Sequence, residues 1–441
     1  TVPANGSGTS VYGTVLVRVN IASEEEGSSD VYEGPETFTL TANYATNNAI
    51  TSTGTDTIVD DGTGRIDRNG DGDTTDSNEG TGGPGAGYED DRTIDVVGGL
   101  TFNEGSTYAT FTVTGAVGSV MNMELGNTNS SGDTDATISG FSVQYNTGSG
   151  WVTYTWDGAT GNRPTVPAGG TFSVRVNISS EADSPYEGAE TFTLKASYAT
   201  NANITDTDTD TIIDDGTGKK DDDGDGGLDE GGVKDDDRQL TVSNITVNEG
   251  NGSNYAVFSV GTVAGQTLNL MLADGTAVRT GSGDTLDFGS TLQYWNGSAW
   301  TAYSAGFTVP GTANANSTLL VRVLLNSDST FENSENFTLT AAYANGGTKS
   351  ATGTATIKDD GTGTKFSSGN PTGNNPSSIT DNTNLDDDRS LSVTGGNYNE
   401  NSPRAVFTVN ATQGQVLTLD VLNAAQPGKA PTGDNEGKPN D

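Results

Sequence analysis

Cysteine and histidine are both missing from the 441 residues. Their absence excludes disulfides, thiolate zinc sites, cysteine nucleophiles and histidine-based triads. Basic residues are scarce as well: 20 Lys and Arg face 59 Asp and Glu, a formal net charge of −39. A surface of that sign repels nucleic acid and anionic lipid, so neither is expected as a partner. No run of 18 apolar residues occurs, so no membrane insertion is expected, and the opening residues do not read as a signal peptide. They read as mid-repeat, TVPANGSG, as in a processed piece or a window on a longer protein. Hydrophobic residues reach only 31%, and glycine numbers 61. Such a composition suits disorder unless the apolar residues are patterned.

They are patterned, because the chain repeats itself. VYEGPETFTLTANYATNNAITSTGTDTIVDDGTG, ending at Gly64, returns as PYEGAETFTLKASYATNANITDTDTDTIIDDGTG, from Pro185 to Gly218. It returns again as TFENSENFTLTAAYANGGTKSATGTATIKDDGTG, ending at Gly363. A second repeated segment follows Arg92, Arg238 and Arg389: TIDVVGGLTFNEGSTYATFTVTG, QLTVSNITVNEGNGSNYAVFSVG and SLSVTGGNYNENSPRAVFTVN. Repetition at this length marks a tandem array. The expected layout is a late half-module at 1–64, an acidic linker at 65–91, and complete modules at 92–218 and 238–363 with an acidic linker at 219–237 between them. An Asn/Ser/Gly linker at 364–388 and an early half-module with a tail at 389–441 complete it.

Within each copy the apolar residues alternate, as a strand with one buried face requires. Val15, Val17, Val19 and Ile21 match Phe172, Val174, Val176 and Ile178, then Leu319, Val321, Val323 and Leu325. Phe38, Leu40, Ala42 and Tyr44 match Phe192, Leu194, Ala196 and Tyr198, then Phe337, Leu339, Ala341 and Tyr343. No stretch has helical periodicity. The fold expected is all-β, a tandem array of Ig-like antiparallel β-sandwich modules. Each complete module also holds an aromatic hairpin, VQYNTGSGWVTY and LQYWNGSAWTAY, in which Asn296-Gly297 is a two-residue turn signal. Trp151 and Trp300 are expected to pack there, and a sugar-stacking role is the alternative.

Three motifs in fixed order resemble the Calx-β repeat: Asn103-Glu104-Gly105, the YEGAETFTL of Tyr186 to Leu194, and the closing TIIDDG of Thr211 to Gly216. That family is a calcium-binding β-sandwich found in sodium–calcium exchangers and, in long arrays, in secreted bacterial adhesins. The modules here are longer than the usual repeat, for which the aromatic hairpin offers a cause. The third copy also departs at Phe331-Glu332-Asn333 and at Lys358. The resemblance implies that Glu104, Asp183, Glu187, Asp214 and Asp215 gather at one end of the first complete module. The matching acids of the second are Glu249, Asp328, Glu332, Asp359 and Asp360. The first half-module keeps Asp30, Glu33, Asp60 and Asp61, and the last keeps Glu400.

Further acids lie in the linkers. Asp90 and Asp91, Asp236 and Asp237, and Asp387 and Asp388 precede each module start, behind Glu89, Asp235 and Asp386. Asp67, Asn69, Asp71 and Asp73 alternate, with Gly72 at the sixth position of a calcium loop, and Asp221, Asp223 and Asp225 with Gly226 repeat the idea. Glu79 or Asp76 in the first loop, and Asp229 and Glu230 in the second, are candidates for the late carboxylate. Neither loop has amphipathic flanks, so these are isolated loops and not EF-hands. Calcium accepts six to eight oxygens in irregular geometry, magnesium needs a tighter octahedron, and transition metals favour the absent His and Cys. The plainer reading is that these acids are solvated turn formers.

Several Ca²⁺ ions per chain, fixing neighbouring modules in line, are therefore expected. The function this suggests is a calcium-rigidified stalk or fibre segment of a secreted bacterial surface adhesin or biofilm-matrix protein, with neighbouring repeats as partners. The alternatives are a subunit that assembles head to tail into a filament, sheath or surface layer by completing half-modules, and a set of carbohydrate-binding modules contacting cell-surface glycans. The second would use Trp151, Trp156, Trp295 and Trp300. Carboxylates recurring at the turns of every module suit metal better than a glycosidase cleft, so no enzyme is expected.

Overall fold

A computed structural model describes residues 1–3, 13–21, 31–67, 69–73, 88–127, 138–155, 161–184, 186–227, 232–250, 254–280, 286–346 and 349–421. Asp30, Asp76, Glu79, Trp156, Asp229 and Glu230 lie outside the described residues. The first unit contributes one hairpin, β1 (Glu36–Tyr44) with β2 (Asn47–Ile58). The first complete module follows with β3 (Asp95–Val97), β4 (Thr101–Asn103), β5 (Tyr108–Thr114), β6 (Met121–Asn127), β7 (Ser142–Asn146), β8 (Val152–Thr153), β9 (Thr171–Asn177), β10 (Ala189–Tyr198) and β11 (Thr205–Ile213). The second is built from β12 (Thr241–Val242), β13 (Ile245–Asn248), β14 (Asn254–Val263), β15 (Thr267–Asp274), β16 (Phe288–Trp295), β17 (Trp300–Ala302), β18 (Phe307–Thr308), β19 (Asn316–Leu325), β20 (Glu335–Tyr343) and β21 (Ser350–Lys358). A last pair, β22 (Leu391–Thr394) with β23 (Thr408–Ala411), ends the described strands.

The strand order is that of an immunoglobulin sandwich. One sheet runs β3-β5-β9-β7-β8 and the other β4-β11-β10-β6; the second module repeats this as β12-β14-β19-β16-β17 and β13-β21-β20-β15, with β18 added at the edge beside β15. In Ig lettering these are A-B-E-D-D′ and A′-G-F-C, with A split between the sheets. A pairs antiparallel with B, and A′ pairs parallel with G. The chain is thus an all-β tandem array of Ig-like antiparallel sandwiches.

Alternation decides which face each strand buries. Phe192, Leu194, Ala196 and Tyr198 on β10 face Val174, Val176 and Phe111 across the first core, and Phe337, Leu339, Ala341 and Tyr343 repeat this in the second. Phe111 and Phe192 meet edge to face at 5.8 Å. The acids of β11 that share a face with buried Ile212 have a task of their own. Asp206, Asp208 and Asp210 accept the Val96, Gly98 and Leu100 amides at 2.7, 2.8 and 3.0 Å, bridging the gap where A crosses between sheets. The repeat closes on Asp-Asp-Gly-Thr-Gly for a steric reason. Gly218 has φ +78°, and a Cβ there would meet the Phe102 carbonyl carbon at 2.7 Å.

Residues beyond the second module pack back onto it. Phe366 and Ile379 are buried in its core, and the Phe366 amide donates to Asn254 Oδ1 at 3.0 Å. The two end units differ from the complete modules. The apolar residues of β1, of β22 and of residues 13–21 are largely exposed.

Candidate metal centres at the module ends

Asn103, at the end of A′, organises the corner of the first complete module. Its Nδ2 donates to the carbonyls of Ile213, Thr217 and Asp235 at 3.3, 3.0 and 3.0 Å, and its Oδ1 accepts the Asp235 amide at 2.7 Å. One buried amide side chain therefore ties the end of G and the following linker to A′. Gly216 donates to the Asp235 carbonyl at 2.8 Å and Asp237 to the Asp214 carbonyl at 3.1 Å. The linker is laid across the tip of the sandwich, and carboxylate oxygens of Glu104, Asp235 and Asp237 come within 4.8 Å of one another. Asp214 joins from G, its Oδ2 accepting the Glu187 amide at 3.1 Å, and the Asp183 amide donates to Glu104 Oε1 at 2.8 Å.

The second module rebuilds this corner. Asn248 reaches the Lys358, Thr362 and Asp386 carbonyls. Asp359, Asp386 and Asp388 bring carboxylate oxygens within 4.8 Å of one another. Glu249 Oε1 accepts the Asp328 amide at 3.0 Å, and Asp359 Oδ2 accepts that of Glu332 at 3.1 Å.

These carboxylates are crowded, and some of their oxygens have no donor. Burial, then the charges of Asp214, Asp235 and Asp237, pushes Glu104 up to about 8, and burial with Asp359, Asp328 and Asp386 does the same to Glu249. Burial lifts Asp214 to about 6, and Asp237, Asp359, Asp386 and Asp388 are also raised. Asp214 Oδ1, Asp237 Oδ2, Asp386 Oδ2 and Asp388 Oδ2 are buried with no hydrogen-bond partner. Asp214 is 1% exposed and Asp386 4%. Orphaned acceptors on buried acids, all oxygen donors and none of them nitrogen or sulfur, fit a hard divalent cation.

The other acid of each Asp pair faces elsewhere. Asp236 grips Arg238 through two bonds at 2.8 and 2.7 Å, and Asp90 and Asp387 hold Arg92 and Arg389 in the same way. Asp215, Asp61 and Asp360 accept the amide and hydroxyl of Thr217, Thr63 and Thr362 two residues on. Glu33 lies beside Asp60, whose Oδ2 accepts its amide at 3.2 Å, while Asp91 and Glu400 belong to no cluster among the described residues. The Arg is the residue that sequence reasoning passed over except as a boundary mark. Arg238 Nη2 donates to the Asp215 carbonyl of the preceding module at 2.5 Å, and its guanidinium lies 4.1 Å over the Tyr343 ring. Arg92 does the same with the Asp61 carbonyl and Tyr198.

The insert loops form a second kind of centre. Asp221 accepts the amides of Gly224 and Gly226 at 2.5 and 2.9 Å, and its carboxylate groups with those of Asp223 and Asp225. Asp67 accepts those of Gly70 and Gly72 at 2.5 and 2.9 Å, with Asn69, Asp71 and Asp73 turned as in the other loop. The 221 loop is strapped to its module by Ser106, which bonds Asp221 through both its amide and carbonyl, and by Arg175, which donates to the Asp223 carbonyl. A third kind was not read from the sequence. Asp287, Glu332 and Glu335 line a cavity of about 10 Å³ with Glu249 and Asp359. Glu249, Glu332 and Asp359 were candidates from the sequence; Asp287, just before strand D, and Glu335, at the start of F, were not, and the fold brings them in.

No family model matches the sequence, and no curated protein does. The Calx-β resemblance stands on its motifs alone. Among solved structures, the chain is similar to the CFA/I adhesin CfaE of enterotoxigenic E. coli, at 10% identity and TM-score 0.30, over 59% of this chain and 96% of that one. It is similar to a tetra-tandem repeat in the extending region of a large adhesion protein, at 13% identity and TM-score 0.24, over 86% and 71%. DIP-gamma IG1+IG2 matches at 9% identity and TM-score 0.24, over 60% and 97%. Likeness this distant speaks for neither function nor partner, and the fold assignment rests on the strand order.

The tryptophans pack within the modules. Trp295 is buried and meets Trp300 at 5.7 Å. Trp151 and Trp300 lie against Arg175 and Arg322, at 4.3 and 4.1 Å, and Trp300 Nε1 donates to the Gly369 carbonyl at 2.9 Å. Each is engaged with its own module.

Proposed function

We propose that this chain is a segment of an extracellular surface array in which Ca²⁺, held where one sandwich meets the next linker, sets the angle between neighbouring modules. The observation that carries this reading is the twice-built corner. Asn103 and Asn248 each draw a linker with two acids onto a module tip of buried acids, and each corner holds orphaned carboxylate oxygens, on Asp214 and Asp237 at one and on Asp386 and Asp388 at the other. Glu104, Asp214, Asp235 and Asp237 would hold the ion at one junction, and Glu249, Asp359, Asp386 and Asp388 at the next. The ion supplies charge neutralisation and nothing catalytic, which suits a load-bearing protein better than an enzyme. A stalk or matrix component of an adhesin type, outside the cell where calcium is abundant, fits the acidity and the repeats.

Binding to the folded state alone would stabilise it by about 2.7 kcal/mol at a hundredfold excess of calcium over Kd. Titration calorimetry of the purified chain is expected to show several calcium sites, and melting to show a higher Tm with calcium than with chelator. No binding heat and an unchanged Tm would refute the reading.

A further inference from the structure

The two complete modules fasten strand A to strand G in different ways. In the first, side chains of G reach out, and Asp206, Asp208 and Asp210 accept the Val96, Gly98 and Leu100 amides. In the second, the same register positions hold Ala351, Gly353 and Ala355. These stand opposite Ala341, Leu339 and Phe337, as the acids stand opposite Ala196, Leu194 and Phe192. There the side chains come from the crossing between A and A′ instead. Asn244 Oδ1 accepts the Thr354 amide of G at 2.8 Å, and Ser243 Oγ accepts the Ser259 amide of B at 2.9 Å. One clasp is ionisable and the other is neutral.

Asp210 is the most deeply buried of the three acids, 0% exposed, and only one of its oxygens is served. Its Oδ2 is buried with no hydrogen-bond partner. Gly98 permits this depth, since a Cβ there would meet the Phe111 ring at 2.7 Å and Asp210 Oδ1 at 2.9 Å. Phe192 stands opposite on F, with Glu190 next along that face opposite Ile212. Asp95 on A is exposed, and Tyr108 on B lies under Arg175. The charges that act on the carboxyl are Asp208 on its own strand and Lys219 beside A′. Burial, then Asp208, pushes Asp210 up to about 7, against the pull of the Leu100 amide and Lys219. Below that pH the group is protonated and tolerated in the apolar layer. Above it a charge faces the core with one oxygen unserved, and water reaches that oxygen only where A lifts away.

We propose that Asp210 makes the A–G clasp of the first complete module a pH-sensitive latch, tight in mild acid and looser at neutral pH, which the second module lacks. The sign follows from proton linkage. The closed clasp keeps the Asp210 proton to a higher pH than the opened one, so opening releases a proton and becomes easier as pH rises, levelling above about 7. The latch also lies on a path for load. Strand A begins just after Arg92, whose guanidinium holds the Asp61 carbonyl of the preceding unit, so pull from that unit enters the module through the strand that Asp210 secures. Asp210 belongs to neither calcium corner, and the latch is independent of the calcium reading.

Hydrogen exchange of the whole chain tests it, read by mass spectrometry on peptides from strands A and G of the first complete module and corrected for the intrinsic rate at each pH. The parent is compared with Asp210→Asn, which keeps an acceptor for the Leu100 amide, and with Asp210→Ala, the residue that the second module carries there as Ala355. Between about pH 5 and about pH 7 the parent's opening constant is expected to rise about tenfold per pH unit more steeply than that of either variant, and above this range to run parallel to it. The corner acids are common to all three chains, so their contribution drops out of the comparison whether or not calcium binds. Opening constants that run parallel in parent and variants from about pH 5 upward would overturn the proposal.

Discussion

Buried acids dominate the chemistry of single residues here. Glu104 and Glu249 ionise near 8 instead of near 4.5, and Asp214 near 6 instead of 3.8. In the metal-free chain these groups keep protons in the folded state that the unfolded chain releases. Folding therefore takes up protons across this window, and stability falls as pH rises from the unfolded values toward the folded ones. The Tm in chelator is expected to be lower at about pH 8 than at about pH 5.5, and calcium, which needs the ionised forms, is expected to remove most of that fall. A Tm in chelator that is flat or rises over this range would contradict the burial of these acids. Arg238 complements them. It is 1% exposed, pairs with Asp236 and reaches across to the Asp215 carbonyl, which leaves a link between modules that requires no ion.

At the scale of elements, identical strands meet different fates. Leu194 on β10 is fully buried, while its counterpart Leu40 on β1 is 45% exposed. Truncating a buried leucine to alanine costs about 2–5 kcal/mol. Leu194→Ala is expected to lower the Tm of the first complete module markedly, and Leu40→Ala to change melting little. Equal effects in calorimetry would mean that β1 is covered within its own chain. The strands themselves were legible from the sequence, because alternation such as Phe192, Leu194, Ala196, Tyr198 has one structural meaning and recurs three times. The acids at the tips were legible as a group through their recurrence. Which member of each Asp pair turns inward was not, because a single residue of offset sends Asp236 to Arg238 and Asp235 and Asp237 to Glu104. Glu332 was read as a candidate, but Asp287 and Glu335 beside it were not, because they join it only across the sheets. The segment after the second module read as a plain linker, yet Phe366 and Ile379 anchor it to the core.

For the whole molecule, the net charge of −39 sets the terms. Adjacent sandwiches press acidic tips against acidic linkers, and the repulsion at each junction is relieved by arginine on one side and, in this account, by calcium on the other. The arginine bonds one module to the next; on the proposed reading the ion would fix their angle. Because the chain has no cysteine, Val152→Cys and Met271→Cys, both at exposed positions in successive modules, give two unique sites for spin labels. Pulsed electron resonance between them measures the distribution of inter-module distances directly. A narrow distribution in calcium that broadens in chelator is the expected result. A distribution equally narrow without the ion would contradict the central claim.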